Sequence, residues 1–475
     1  MSIKKYNKIS SYFILPLSIV IITSGCSFIP EQPKVALPVA PAYPYQNNTK
    51  SSNNIKASDI AWQDFFKDKR LQKLIEITLE NNKDLKKSAL NIEEFKAAYD
   101  IQSSASLPNI NGNAGLSRGK NQNSASNTSY QIGISLTSFE LDFFGRVHSL
   151  NQAALNQYLA TEEAYKTIQL SLISEIAKLY FDERAIEQLI TFAKHTLEIR
   201  EKAYNILKKR YELGDISDLD VRSNQVLVES AKLALLGYTR QHNQVINGLV
   251  LLTGSSNPLE NLPPAAKFNE QKLIEDIPAG LPSDLLENRP DIKAAEYQLK
   301  SANANIGAAR AAFFPRIALT ANTGFASSQL GDLFKSGSFI WSIAPQLTIP
   351  IFDAGRNKNN LKVAEIRTES SIIDYEKTIQ TAFKEVADTL AVRDTIKSEL
   401  ESQKNIKQAQ SERLRLSNIR YKYGIANYIE ILDAERDLFS AEQSLVQLQL
   451  LDLKNTVDIY KSLGGGLNSN AGKNN

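Results

Sequence analysis

The sequence predicts a mixed α and β membrane protein: four transmembrane β-strands per chain, continued by long α-helical coiled coils and laid out as an internal twofold repeat. Three observations predict it. The stretch RYELGDISDLDV, starting at Arg210, returns as RYKYGIANYIEI, starting at Arg420, 210 residues later. Each half carries a pair of segments in which apolar and polar residues alternate, the period of a strand with two unlike faces. Each half also carries 65 residues without proline or glycine, Arg146–Arg210 and Arg356–Arg420. At 1.5 Å per residue each would form a rod of about 98 Å.

Composition narrows the function classes. A hydrophobic content of 42% supports a substantial core. The net charge of +3 comes from 55 basic and 52 acidic residues spread along the chain, so no concentrated basic face speaks for nucleic acid. His148, His195 and His242 lie far apart on helical stretches and read as surface or packing residues rather than metal ligands. No Ser-His or Cys-His pairing, glycine-rich phosphate loop or His-carboxylate cluster points to an enzyme or a cofactor. Met1 is the only methionine, which leaves no thioether ladder for copper or silver.

In chain order, residues 1–25 read as an export signal: Lys4, Lys5 and Lys8, the apolar run SYFILPLSIVII, then TSG before Cys26. Small residues before a lone cysteine resemble the lipobox of bacterial lipoproteins, although Thr23 stands where leucine is usual. That resemblance implies a covalent lipid on Cys26, and Ser27 after it fits outer-membrane sorting. A plain secretory signal with a stray thiol is the alternative. Residues 26–58, rich in Pro, Ala, Asn and Ser, read as an extended tether without a core of its own. The first repeat spans 59–254, a linker 255–282, the second repeat 283–464 and a tail 465–475.

Each repeat opens with a helical segment, 64–106 or 283–313, stopped by Pro108 or Pro315. A hairpin follows, 108–145 or 315–355. Its strands run out through Ile110–Leu116 and back through Tyr130, Ile132, Ile134 and Leu136. In the second repeat they run through Ile317–Phe325 and Phe339–Ile351. Alternating faces over about 10 residues suit a membrane barrel, with a soluble hairpin packed on helices as the alternative. Four strands cannot close alone, and open edges cannot face lipid, so several copies must share one barrel. Within the rods, Leu172, Ile176, Leu179, Ile186, Ile190, Ala193 and Leu197 predict a narrow coiled-coil seam, as do Ala434, Leu438, Ala441, Leu445 and Leu448.

Gly214 and Gly424 end the rods, where a left-handed residue is wanted. Ser217 and Asn427 are N-caps for the next helices. Asn427-x-x-Glu430 predicts a capping box, and Asp220 supplies negative charge to the other helix start.

The duplicated plan, with Pro108, Pro315, Gly145-Arg146, Gly355-Arg356 and two Arg-Tyr-x-x-Gly turns, resembles the outer-membrane factor family, the TolC-like exit ducts. With Cys26 it is similar to the OprM-type lipoprotein subgroup. The resemblance implies a homotrimer with a twelve-stranded barrel in outer-membrane lipid and a helical tunnel across the periplasm. It also implies a periplasmic membrane-fusion adaptor and an inner-membrane pump, of the resistance-nodulation-division type. By the same resemblance the tunnel closes at the helix tips, at positions matching Ile429, Glu430 and Asp433, with Arg436 able to pair locally with Asp433. Tyr211, Gly214, Ser217, Tyr421, Gly424 and Asn427 are the expected adaptor-docking positions. The alternative for Glu430 is capping alone, and for Asp433 a solvated helix position. Drug efflux, type I protein secretion and a periplasmic coiled-coil scaffold remain the functional readings.

Overall fold

A computed structural model describes residues 27–33, 38–44 and 56–468, apart from 121–125, 272, 275, 276, 279 and 281. Cys26, the export signal and the end of the tail lie outside the described residues. The helices are α1 (Trp62–Phe65), α2 (Lys69–Asn81), α3 (Lys83–Ser104), α4 (Arg146–Glu212), α5 (Asp218–Thr253), α6 (Asp284–Asn288), α7 (Pro290–Ala311), α8 (Arg356–Lys422) and α9 (Tyr428–Ser462). The strands are β1 (Ile110–Gly119), β2 (Asn127–Leu141), β3 (Arg316–Ser327) and β4 (Phe339–Thr348). The chain falls into two compact units.

The first unit comprises residues 1–36, 90–162 and 294–376. Its four strands form one antiparallel sheet in the order β1-β2-β3-β4. Register gives the sheet two unlike faces. Ile110, Leu136, Ala321 and Ile343 line up on one face, as do Ala114, Ile132, Phe325 and Phe339. The alternate rows hold Asn111, Ser135, Asn322 and Ser342. Among the described residues no helix covers the apolar face: Trp341 is 68% and Ile343 63% exposed. The hairpins are therefore not packed on soluble helices.

Two strand boundaries differ from expectation. β2 runs five residues past Leu136 because a bulge at Leu136/Phe139, with Ser138 at φ 50°, inserts one residue and returns Phe139 and Leu141 to the apolar face. β4 stops at Thr348, so Ile349 and Ile351 lie beyond it; Pro350 has no N–H with which to continue a ladder.

The second unit comprises residues 37–89, 163–293 and 377–475. Its core gathers Phe65, Phe66, Leu71, Leu74, Ile75, Ile173, Ile176, Tyr180, Phe181 and Tyr460, all essentially buried. Burying each large apolar side chain contributes about 1.5–3 kcal/mol. Phe65 stacks on Tyr460 at 3.9 Å, while the Tyr460 hydroxyl donates to the Ile60 carbonyl. The helical segment expected over 64–106 is broken twice. Asp68 caps α2, accepting from Arg70 N at 2.8 Å. Asn82 caps α3, accepting from Leu85 N while its amide donates to Leu252 O. The segment expected over 283–313 is likewise divided, at Arg289.

The duplication is visible in these contacts. Arg289 donates to Ser462 O as Asn82 does to Leu252 O, at repeat-equivalent positions. A Cβ on Gly464 would press on Asn288 O, as one on Gly254 would press on Asn81 O. The α4 seam is broader than expected. Besides Leu172, Ile176 and Ala193, it buries Ile173, Ala177, Tyr180, Ala185 and Leu189, while Ile186, Ile190 and Leu197 are only half-buried. The helix is enclosed on more than one side here. The described tether residues are not free: Tyr43 is buried against Phe383, and Phe28 stacks on Phe314. The linker too is fastened, with Phe268 buried among Ala185, Leu189 and Val446.

Candidate functional site at the two helical turns

Both long helices, 67 residues each, end in the same backbone. Gly214 has φ 76° and Gly424 φ 71°, a region glycine occupies without strain. Gly214 N donates to Tyr211 O and Asp215 N to Arg210 O; Gly424 N donates to Tyr421 O and Ile425 N to Arg420 O. This paired pattern satisfies carbonyls that the helix end would otherwise leave without donors.

At the first turn the side chains close on each other. Ser217 caps α5: its Oγ accepts from Asp220 N at 3.3 Å and donates to Asp220 Oδ2 at 2.7 Å, while Ser217 N donates to that same carboxylate. The reciprocal capping box therefore stands here, not at Asn427. Arg210 pairs with Asp215 at 2.7 Å, and Arg222 with Asp218 at 3.4 Å. Tyr211 projects outward, 45% exposed.

At the second turn Asn427 Oδ1 accepts from Glu430 N at 3.3 Å, but Glu430 does not return the bond. Its carboxylate instead accepts from Ser417 Oγ at 3.1 Å and pairs with Arg420 at 3.2 Å, tying the first turn of α9 to the last turns of α8. The competition of a guanidinium and a buried hydroxyl for Glu430 undoes the expected box. Asp433 pairs with Arg436 at 3.1 Å, as its spacing predicts. Arg436 also reaches Asp437 at 3.3 Å, and Asp437 meets Arg413 at 2.7 Å. The hydrogen bond from Arg413, with a lesser one from Arg436, holds the Asp437 carboxyl below the usual range. Ile429 is exposed.

The two turns touch. Arg210 donates to the Tyr421 hydroxyl at 2.9 Å, so Tyr421 is engaged within the chain rather than presented outward. Tyr421 meets Tyr428 edge to face at 5.3 Å. Burial, and then the nearby Glu435, push the Tyr428 hydroxyl up to about 12. Further along, Arg200 is buried; it donates to Leu227 O at 3.0 Å and lies over the Phe439 ring. Its Nε has no hydrogen-bond partner. Burial pushes the Glu435 carboxyl up, and Arg200 opposes that shift. The sequence offered one signal for this linkage, the arginine opening both RY motifs; Tyr428, Arg413, Asp437 and Arg200 carried none.

Chemically, these turns hold carboxylates, guanidiniums and phenols in exchangeable pairs. They can lock two helical hairpins together and present charge at their ends.

The comparisons agree with this architecture. The chain matches the family described as "Outer membrane efflux protein" over residues 74–255 and 281–465. The two matched segments keep the offsets of the internal repeat. It is 41% identical over 462 residues to the solvent efflux pump outer membrane protein SrpC of Pseudomonas putida, covering 95% of this chain and 98% of that one. It is 39% identical to the outer membrane protein OprJ of Pseudomonas aeruginosa, covering 96% of each. In structure it is similar to the open-state MtrE outer membrane channel of Neisseria gonorrhoeae. There the TM-score is 0.87 at 40% identity, covering 93% of this chain and 99% of that one.

Proposed function

The chain belongs to the outer membrane efflux protein family and is an outer-membrane exit duct of an efflux system, and from that premise we propose that three copies close one barrel and that the second turn gates the periplasmic tunnel. The observation that carries the assembly is the sheet. Its apolar face is bare, its opposite face is polar, and among the described residues β1 and β4 have no partner on their outer edges. Lipid tolerates no open edge. A head-to-tail contact of β4 with the next copy's β1, repeated around a closed ring, removes every edge. Strands of 10–15 residues are long enough to cross.

The duct conducts passively and performs no catalysis, with energy supplied by an inner-membrane pump of the resistance-nodulation-division type. Tyr211, exposed beside the Arg210–Asp215 and Arg222–Asp218 pairs, offers an aromatic and charged surface suited to a periplasmic adaptor. Asp433, repeated three times around a narrow mouth, supplies a cation-attracting ring. A covalent lipid on Cys26 adds an anchor. Names of relatives that refer to solvent and toluene efflux favour small apolar organic cargo.

The experiment is detergent extraction followed by an unheated denaturing gel and native mass spectrometry. A threefold mass that collapses on heating, with conductance in planar bilayers, is the expected result. A stable single copy without conductance would defeat the proposal.

A further inference from the structure

We infer that the base of the sheet carries a built receptor for the protein's own mature N-terminus, residues 27–30. Three features of this short segment meet three matching features of the first unit. The Phe28 ring stacks on Phe314 at 4.6 Å with the planes 14° apart, and Phe314 stacks in turn on Phe144 at 5.0 Å. Backbone and side chain of Ile29 lie directly on Gly307: a Cβ there would fall 2.7 Å from Ile29 Cγ1 and 2.9 Å from Ile29 N. The Pro30 carbonyl accepts from Asn303 Nδ2 at 2.8 Å, and Asn303 is itself 4% exposed.

Asn303 and Gly307 stand one turn apart on α7, so they share a face. A glycine inside a helix is unfavourable unless something needs the space. Here two elements need it, since Ser149 Oγ closes on Gly307 from α4 just as Ile29 does from the N-terminal segment. A ring slot, a bare backbone and a buried amide thus recognise an aromatic residue, an aliphatic residue and a carbonyl in sequence. This selects residues 28–30 rather than any apolar segment.

Phe144 lies three residues beyond the end of β2 and Phe314 two residues before β3, so the receptor stands at the strand ends. Aromatic rings favour the membrane–water interface. Docking therefore holds the start of the mature chain at the depth where the sheet's apolar face begins. A lipid attached there and the barrel then address the same leaflet. That last consequence rests on the proposed barrel and on acylation of Cys26; the docking does not.

The test places a spin label at Glu31→Cys, an exposed neighbour of Pro30, in the purified full chain. An immobilised spectrum is expected, with loss of the immobilised component in Gly307→Leu and in Phe314→Ala. Should Gly307→Leu fail to assemble, Phe28→Ala leaves the receptor intact and should mobilise the label equally. A Cys26→Ser chain exported on a non-lipidated signal should stay immobilised. A mobile label in the otherwise unaltered chain, no response to Phe28→Ala, or release on deacylation alone would each overturn the receptor. Absence of palmitate from Cys26 with the label still immobile would sink the lipoprotein reading and leave the receptor standing.

Discussion

At both turns the chain leaves a 67-residue helix through a glycine of positive φ and enters the next helix through a polar cap. The side chains then diverge. The residue after the glycine is Asp215 in one turn and Ile425 in the other, and this decides what the preceding arginine does. Arg210 turns onto Asp215 and across to Tyr421; Arg420, facing no acid at Ile425, reaches forward to Glu430. The first turn completes its own capping box, whereas the second surrenders Glu430 to Arg420 and Ser417. Duplication has kept the backbone and freed the side chains. One tip closes its own cap and reaches the other through Arg210; the other became a chain of pairs from Asp433 through Arg436 and Asp437 to Arg413.

The two turns share one backbone, and its glycines should carry the largest effects. Gly214→Val and Gly424→Val should each cost about 1–2 kcal/mol, equally at both turns, read as hydrogen exchange of the turn amides. Unequal losses would mean that the turns differ in backbone too. Next come the arginines. Arg210→Ala removes the bond between hairpins, worth about 1 kcal/mol or roughly fivefold in open fraction, and leak current in a planar bilayer should rise accordingly. Tyr421→Phe should reproduce that rise, and Arg420→Ala, which releases Glu430 at the second turn, should raise the current as well. Smaller still is the capping difference: Ser217→Ala should cost about 1 kcal/mol and Asn427→Ala about half as much, measured by thermal unfolding of the tips.

The smallest effect is that of pH. Arg413 holds Asp437 below its ordinary value in the folded protein. Its contribution is therefore fully present above the unfolded carboxylate value of about 3.9. It is lost as pH falls through the depressed folded value. Leak current should stay flat from neutral pH down to roughly that value and rise only below it. Arg413→Gln should move the rise to higher pH.

Features governed by local periodicity and backbone were legible in the sequence: the duplication, the rods, the glycine turns, the alternating strands and the Asp433–Arg436 pair. What escaped depended on distant partners. Asn82 breaks a helix because its amide finds Leu252, 170 positions away. The bulge at Ser138 shifts the phase of β2, so Phe139 and Leu141 sit out of step with the alternation that precedes them. Glu430 has the spacing of a capping box, yet Ser417 on the preceding helix decides its partner. Arg210 and Tyr421 stand 211 residues apart, and no spacing rule joins them.

We propose that the second turn carries the gate and the first does not. Reversal potentials across a planar bilayer under a salt gradient test it most directly. Asp433→Asn should abolish much of the cation preference and raise the leak, while the paired change Asp215→Asn with Asp218→Asn should leave both as they are. Selectivity that followed the first turn's acids, or that ignored Asp433, would place the gate elsewhere.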